Sequence, residues 1–373
     1  MHANPTDAAA SWLLHSGIQN PPEAKNASGA DIGGAFNAWF DPETNSYSYV
    51  YSEITGYALT ALMYLFAEKK DELYRTHARQ AADWLISVQT KDGAFPTALR
   101  YAENDFKSPH FHTFDVGMVL NGLLCLYDST KEERYVESAR KAADWLIRFQ
   151  NPDGSLAAHV TAEGEVADTP TTWSTQPGSY HAKIAIGLLH LFRVGGDERY
   201  RTAAVNLCEY ALTRQQPDGQ FYTYGEERGT NLHPHFYSAE GLWVVGTVIQ
   251  EGRYLDAARR ATMWAHSHTK NGIVPRHKHA EFNYNERADI LAQGYRMFAL
   301  HGLVDSTEAK TLREVLLARQ YDKDGEPQHG GFSFGLASDG RHLPHINCWV
   351  TMFALQALLL GESGTLPEPF LLV

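Results

Sequence analysis

The chain is 373 residues long, and with 43% hydrophobic and 20% charged residues it has the make-up of a soluble globular protein, not of a disordered one. A net charge of -12 argues against a broadly basic face, and with it against nucleic acid as a partner. Three cysteines (Cys125, Cys208, Cys348) make no disulfide framework, no apolar run approaches the roughly 20 residues that cross a bilayer, and the opening MHANPTDAAASWLLHSG lacks the basic start of a secretory signal, so a cytoplasmic protein with no membrane insertion is expected.

Residues 6–17 read as a first helix with Trp12, Leu13 and Leu14 on its apolar side. The Gly- and Tyr-rich stretch GGAFNAWFDPETNSYSYVYSE alternates, which predicts a hairpin or extended loop. Next comes a helix over 53–69, apolar on most sides. The helix over 71–89 that follows carries a stripe of Leu73, Ala78, Ala81, Ala82 and Leu85 against Arg75, Arg79 and Gln80, the period of a half-buried helix. The same pairing of an apolar and an amphipathic helix recurs at 113–128 and 132–150, 180–194 and 198–216, 237–250 and 254–269, and 287–301 and 307–320. A last apolar helix is predicted over 347–360. The hexapeptide AADWLI stands at both Ala81–Ile86 and Ala142–Ile147, the mark of one helical unit stacked on copies of itself.

Helices apolar all round belong inside, and amphipathic ones face water on one side. Two concentric rings of six helices, an (α/α)6 toroid built from residues 1–373 as a single domain, satisfy the pattern; an open superhelical stack of the same hairpins is the alternative. Glycines within the inner helices (Gly56, Gly117, Gly122, Gly187, Gly241, Gly246, Gly294) each weaken a helix by about 1 kcal/mol against Ala, which close helix packing would offset. Inner-to-outer connections are short and outer-to-inner connections long, most of the latter opening on Asp-Gly or Asn-Gly (Asp92-Gly93, Asp153-Gly154, Asp218-Gly219, Asn271-Gly272, Asp324-Gly325). All long loops therefore leave from one end, where the inner helices begin and where binding and catalysis are expected.

The inner-helix starts are YVYSEITGY, HFHTFDVG, GSYHAK, HPHFYSAEG, NYNERADI and LPHINCW, each with His, Tyr, Asp or Glu near the first turn. Carboxylates there (Glu53, Asp115, Glu240, Asp289) suit either helix capping or acid–base work. Aromatic rings stack on the apolar faces of sugars while polar groups take the hydroxyls, so a carbohydrate is the expected partner. His112, His181, His235, His345, Tyr57, Tyr237, Trp173, Trp349, Arg100, Arg287 and Asp289 are the candidate binding residues. Tyr49, Tyr51, Tyr57, Tyr180 and Tyr237 equally fit a packed aromatic belt. The His-x-His pairs His110/His112, His233/His235, His266/His268 and His277/His279 would share a face in an extended segment, but HExxH and CxxC are absent and no metal is expected. No phosphate loop, dinucleotide fingerprint or GxSxG occurs, so no cofactor is expected.

These helix pairs and the Gln-x-x-Asp-Gly turns between them resemble the α/α-toroid carbohydrate-active proteins: unsaturated glucuronyl hydrolases, N-acylglucosamine 2-epimerases and the C-terminal domain of glucuronyl C5-epimerases. VLNGLLCLYD at 119–128 and HIN at 345–347 are locally similar to the last of these. The resemblance to the hydrolases implies acid and base catalysis by inner-helix Asp residues, and Asp115 is the position most like them.

Three functions follow as expectations. A glycoside hydrolase acting on an oligosaccharide, with uronic acid as one candidate constituent, would use Asp115 as general acid/base and Glu240 or Glu53 as the second carboxylate, with Arg100 or Arg276 to meet a uronate. An epimerase would move protons with Tyr57 or Tyr237 and His235 or Glu240. A non-catalytic toroid would bind a glycan or protein without turning it over.

Overall fold

The computed structural model describes residues 4–99, 111–223, 229–323, 325–366 and 368–373; Arg100, His110 and Asp324 lie outside the described residues. Among the described residues, twelve α-helices alternate between two rings. The inner ones are α2 (Ser52–Lys69), α4 (Thr113–Thr130), α6 (Ile184–Gly195), α8 (Leu232–Ile249), α10 (Ala288–Leu300) and α12 (Cys348–Ser363). The outer ones are α1 (Pro5–His15), α3 (Glu72–Val88), α5 (Glu133–Ile147), α7 (Glu198–Thr213), α9 (Gly252–Ser267) and α11 (Thr307–Leu317). Each inner helix packs on the next, and α12 packs back on α2, so the ring is closed and the open stack is excluded. The burial pattern follows the sequence logic. Every residue of α4 from Thr113 to Leu126 is buried, whereas α5 buries one stripe that includes Tyr135, Ala139, Ala142 and Leu146.

The inner-helix glycines are where backbones meet. A Cβ on Gly56 would stand 2.8 Å from Val119 N, and one on Gly241 2.2 Å from the backbone of Ala182. The helix propensity lost at these positions is exchanged for contact between main chains.

The outer ring is stitched by a repeated side-chain device. After an outer helix, a glutamine amide donates both to its own turn glycine and to a carbonyl of the next outer helix. Gln89 Nε2 reaches Gly93 O and Ser138 O, both at 3.0 Å. Gln215 reaches Gly219 O at 3.2 Å and Ala257 O at 2.8 Å. Gln150 does the same toward Ala203, and Gln19 toward His77. Gln320 reaches Gly330 O at 2.9 Å and Pro5 O at 2.8 Å, which joins α11 to α1. The turn glycine then rests on the helix it has been tied to: at Gly93, with φ +109°, an added Cβ would lie 2.1 Å from Lys141 O. The Gln-x-x-Asp-Gly sequence is thus a clamp between neighbouring outer helices.

Two segments finish the molecule. The Tyr-rich stretch forms the predicted hairpin, Trp39–Asp41 pairing with Ser46–Tyr47, and it joins His342–Asn347 and Phe332–Leu336 in a four-stranded antiparallel sheet over one side of the mouth. At the other end, Pro369–Leu371 packs against α2, α4, α6 and α8. Val373 is 1% exposed there, its N–H donating to Gln356 Oε1 (3.0 Å) and its carbonyl accepting from Lys183 Nζ (2.8 Å). Among the described residues, no helix is long and apolar enough to cross a membrane.

One boundary departs from the sequence expectation in a way that matters for the site. Helix α8 begins at Leu232, five residues early, because Asn231 caps it by accepting the His233 N–H at 3.1 Å. Pro234 then falls in the first turn, where a missing N–H costs nothing. His233 and His235 therefore lie on a helix, where residues two apart face away from each other.

Candidate active site

A cavity of about 200 Å³ opens at the long-loop end. It is lined by Tyr51, Glu53, Ile54, His112, Phe114, Asp115, Trp173, Ser174, His233, Tyr237, Arg287 and Trp349. Five inner helices supply residues near their starts: α2 gives Glu53, α4 Asp115, α8 His233 and Tyr237, α12 Trp349, and Arg287 is the N-cap of α10. The loop between α5 and α6 adds Trp173, which meets Tyr180, His233 and Tyr237 through ring contacts at 5.1, 5.7 and 6.4 Å.

Two carboxylates face this space, Glu53 and Asp115. Neither residue is the N-cap of its helix; Tyr51 and His112 hold those positions. Burial, and then the negative charge of Asp115, push the Glu53 pKa well above the usual carboxylate range, while hydrogen bonds from Tyr51 and Tyr57 pull the other way. Burial raises Asp115 to about 8 against the pull of a Thr97 hydrogen bond, and its Oδ2 is buried with no partner among the described residues. Two acids that cannot both ionise cheaply share a proton over a wide range of pH. Beneath Glu53 the Tyr57 hydroxyl lies 2.9 Å from that of Tyr237, so Tyr57 is a floor residue behind the lining.

Asp289 does not line the cavity; it holds three residues that do. Its Oδ2 accepts from Arg287 Nε (3.0 Å) and Nη2 (2.7 Å) and from Trp349 Nε1 (3.1 Å), and lies 3.6 Å from His233 Nδ1. Burial pushes its pKa up, but Arg287 and His233 more than offset this and hold it at about 2. His233 Nδ1 bonds Gln293 Oε1 at 2.7 Å, which makes Nδ1 the protonated nitrogen and leaves Nε2 a lone pair. Burial keeps this ring neutral, with a pKa of about 4.

Four expected site residues fall elsewhere. Glu240 is fully buried below the floor, its Oε2 2.7 Å from Lys183 Nζ and its Oε1 bonded to Arg296. Burial raises its pKa, but the two cations bring the net shift downward, so its charge is spent on a structural cluster. His235 points outward: Nδ1 accepts the Phe221 N–H (3.2 Å) and Nε2 bonds Ala261 O (3.1 Å), tying a loop to α9, as the helical position of the HPH motif demands. His181 is packed on Tyr180, ring centroids 4.1 Å apart, with neither nitrogen hydrogen-bonded among the described residues. His345 stacks on Trp39 at the rim. Conversely, Tyr51 and His233, which the sequence pattern assigns to a packed belt and a His-x-His pair, line the cavity. The signal for both was their place in YVYSE and HPHFY at the inner-helix starts. Among the described residues, no group of three or more His, Cys, Asp or Glu is disposed to hold a metal ion.

No functionally curated protein matches the chain in sequence. Solved structures that it resembles include cellobiose 2-epimerase from Bacillus thermoamylovorans B4167, at 12% identity over 94% of this chain and 98% of that one with a TM-score of 0.73. A sugar epimerase from a ruminal bacterium matches at 9% identity over 96% and 99% with a TM-score of 0.75. An unsaturated glucuronyl hydrolase from Bacillus sp. GL1 matches at 16% identity over 98% of both chains with a TM-score of 0.65. At such identities the likeness is one of fold. The family model described as beta-L-arabinofuranosidase, GH127 catalytic domain, matches residues 48–290, a span that includes Glu53, Asp115, His233, Tyr237 and Arg287. The chain is a carbohydrate-active enzyme, and it belongs to the beta-L-arabinofuranosidase GH127 catalytic-domain family.

Proposed function

We propose that the enzyme is a glycoside hydrolase that removes the terminal sugar of an oligosaccharide, with Asp115 as the general acid and Glu53 as the second carboxylate. The observation that carries this reading is the pair itself: two electrostatically coupled acids, from adjacent inner helices, facing one cavity. Asp115, held protonated by burial, gives its proton to the glycosidic oxygen as the C–O bond breaks. In the form with one proton across the pair Glu53 is the ionised partner, its two phenol hydrogen bonds working against the burial that raises its pKa, and it either activates the water that replaces the leaving group or attacks the sugar first. Trp173, Trp349 and Tyr237 take the apolar face of the ring; His112, His233 and the part of Arg287 not engaged by Asp289 take hydroxyls or a carboxylate.

The family description favours a beta-L-arabinofuranoside, and Arg287 favours a uronoside. Incubating the enzyme in heavy water with 4-nitrophenyl beta-L-arabinofuranoside, 4-nitrophenyl beta-glucuronide and an unsaturated uronosyl disaccharide tests both. Cleavage of at least one, lost in Asp115→Asn, is expected. Deuterium on a ring carbon without cleavage would replace this reading with an epimerase, for which the lone pair of His233 beside Tyr237 is the suitable base.

A further inference from the structure

The aromatic lining does not end at the cavity's edge. Tyr51 and Trp349 belong to the wall. From Tyr51 the rings continue to Tyr49, centroids 6.0 Å apart, and from Trp349 to Trp39 at 6.4 Å. Trp39 closes the strip: it meets Tyr49 edge-on at 5.1 Å and His345 face to face at 4.9 Å, with planes 14° apart.

The sheet at the mouth displays this strip by simple alternation. Trp39 pairs with Asn347 and Phe40 with Ile346, so Phe40 and Ile346 point into the core, 6% and 1% exposed. Trp39 and His345 stand on the opposite face. Tyr49, Tyr51, Trp39, His345 and Trp349 are all half-buried. Large rings left partly in water, contiguous with one another and with a cavity, mark a surface built to be covered.

We infer that this strip is a second sugar-binding surface, which takes the units following the terminal one held in the cavity. The inference rests on the reading of the cavity as a sugar site. A hollow of about 200 Å³ accommodates little more than one sugar ring, so the rest of an oligosaccharide must cross the rim. The rim it crosses on this side carries contiguous, partly exposed aromatic rings, and such rings pack on the C–H faces of sugars without requiring a particular pattern of hydroxyls. The commitment is to a carbohydrate chain as occupant because the strip is continuous with the cavity wall through Tyr51 and Trp349.

The test is a printed array of arabino-, xylo-, cello- and glycosaminoglycan oligosaccharides beside their monosaccharides, probed with the full chain. The Asp115→Asn protein is expected to retain one oligosaccharide class more tightly than its monosaccharide. Trp39→Ala in that background should weaken retention about tenfold, the scale of one lost stacking contact, while Trp39→Phe keeps most of it. His345→Ala, which leaves Trp39 in contact with Tyr49 and Trp349, should weaken it severalfold and guards against misfolding of the Trp39 variant. Equal retention by Trp39→Ala and His345→Ala, no preference for oligosaccharide over monosaccharide, or no retention of any glycan overturns the inference. Retention without cleavage by the wild type removes the hydrolase reading and leaves the surface standing; cleavage of short glycosides without preferential retention does the reverse.

Discussion

Glu53 and Asp115 approach one cavity from the first turns of neighbouring inner helices, and the charge on Asp115 raises the pKa of Glu53. Their coupling sets the pH at which the site works. The active form carries one proton across the two groups, so kcat/KM should follow a bell whose acid limb falls near pH 8, where the pair loses its first proton, and whose alkaline limb lies higher, where it loses its second. The Thr97 bond holds that value down. Thr97→Val should therefore move the acid limb upward; a limb that stays in place, or moves down, would show that Asp115 does not set it.

The same residue makes a stability prediction of definite sign. Asp115 has a pKa of about 8 in the fold against 3.8 as a free group, so the folded protein holds the proton more tightly. Stability from this group is complete below 3.8 and declines as the pH rises toward 8. Asp115→Asn should unfold at a higher temperature than wild type at pH 8 and above, and the gap should close in acid. Thermal melts across pH check it; a variant less stable at pH 9 would contradict the desolvation account.

Asp289 works through its neighbours. Asp289→Ala would free Arg287, Trp349 and the His233 ring together and leave a largely buried guanidinium unpaired, a loss of about 3 kcal/mol in stability. Its pKa of about 2 against 3.8 unfolded means that the wild-type contribution is present above 3.8 and fades as the pH falls toward 2. Asp289→Asn keeps the shape but not the charge, and should raise KM more than it lowers kcat. The reverse split would place Asp289 in the chemistry itself.

His233 and His235 should separate in mutagenesis. His235→Ala removes a tie between a loop and α9 and should lower stability by about 2 kcal/mol while leaving the pH profile unchanged. His233→Ala should cut kcat/KM at least tenfold with a smaller change in melting temperature. Equal effects of the two would undo the assignment of opposite faces.

The ring clamp gives a prediction away from the site. Gln89→Ala removes the two hydrogen bonds with Ser138 that join it to α5, each worth about 1 kcal/mol, and should lower stability by about 2 kcal/mol without altering turnover. A change below about 0.5 kcal/mol in a denaturant titration would show that solvent replaces the clamp.

The double ring could be read from the chain because it rests on periodicity, and periodicity is local. The apolar helices, the amphipathic helices and the Gln-x-x-Asp-Gly turns all appear in order. What could not be read was which charges meet. Glu240 falls in the first turn of the helix expected over 237–250, but α8 starts at Leu232, so it sits deeper than the cavity acids, where Lys183 and Arg296 come to it from elsewhere in the chain. Nothing near Glu240 in sequence announces them. His235 was misplaced for a different reason: an extended HPH segment and a Pro-containing first helical turn share one sequence, and only the Asn231 cap decides between them.

The packing of residues 369–373 into the far end of the ring gives the molecule the plan of a cup, not a tube. On the proposed hydrolysis, what is cut loose inside backs out past the lip before another chain tip enters. Free monosaccharide should then compete directly with substrate, and a long glycan should be nibbled from its tip with a fresh encounter for every unit, never drawn through.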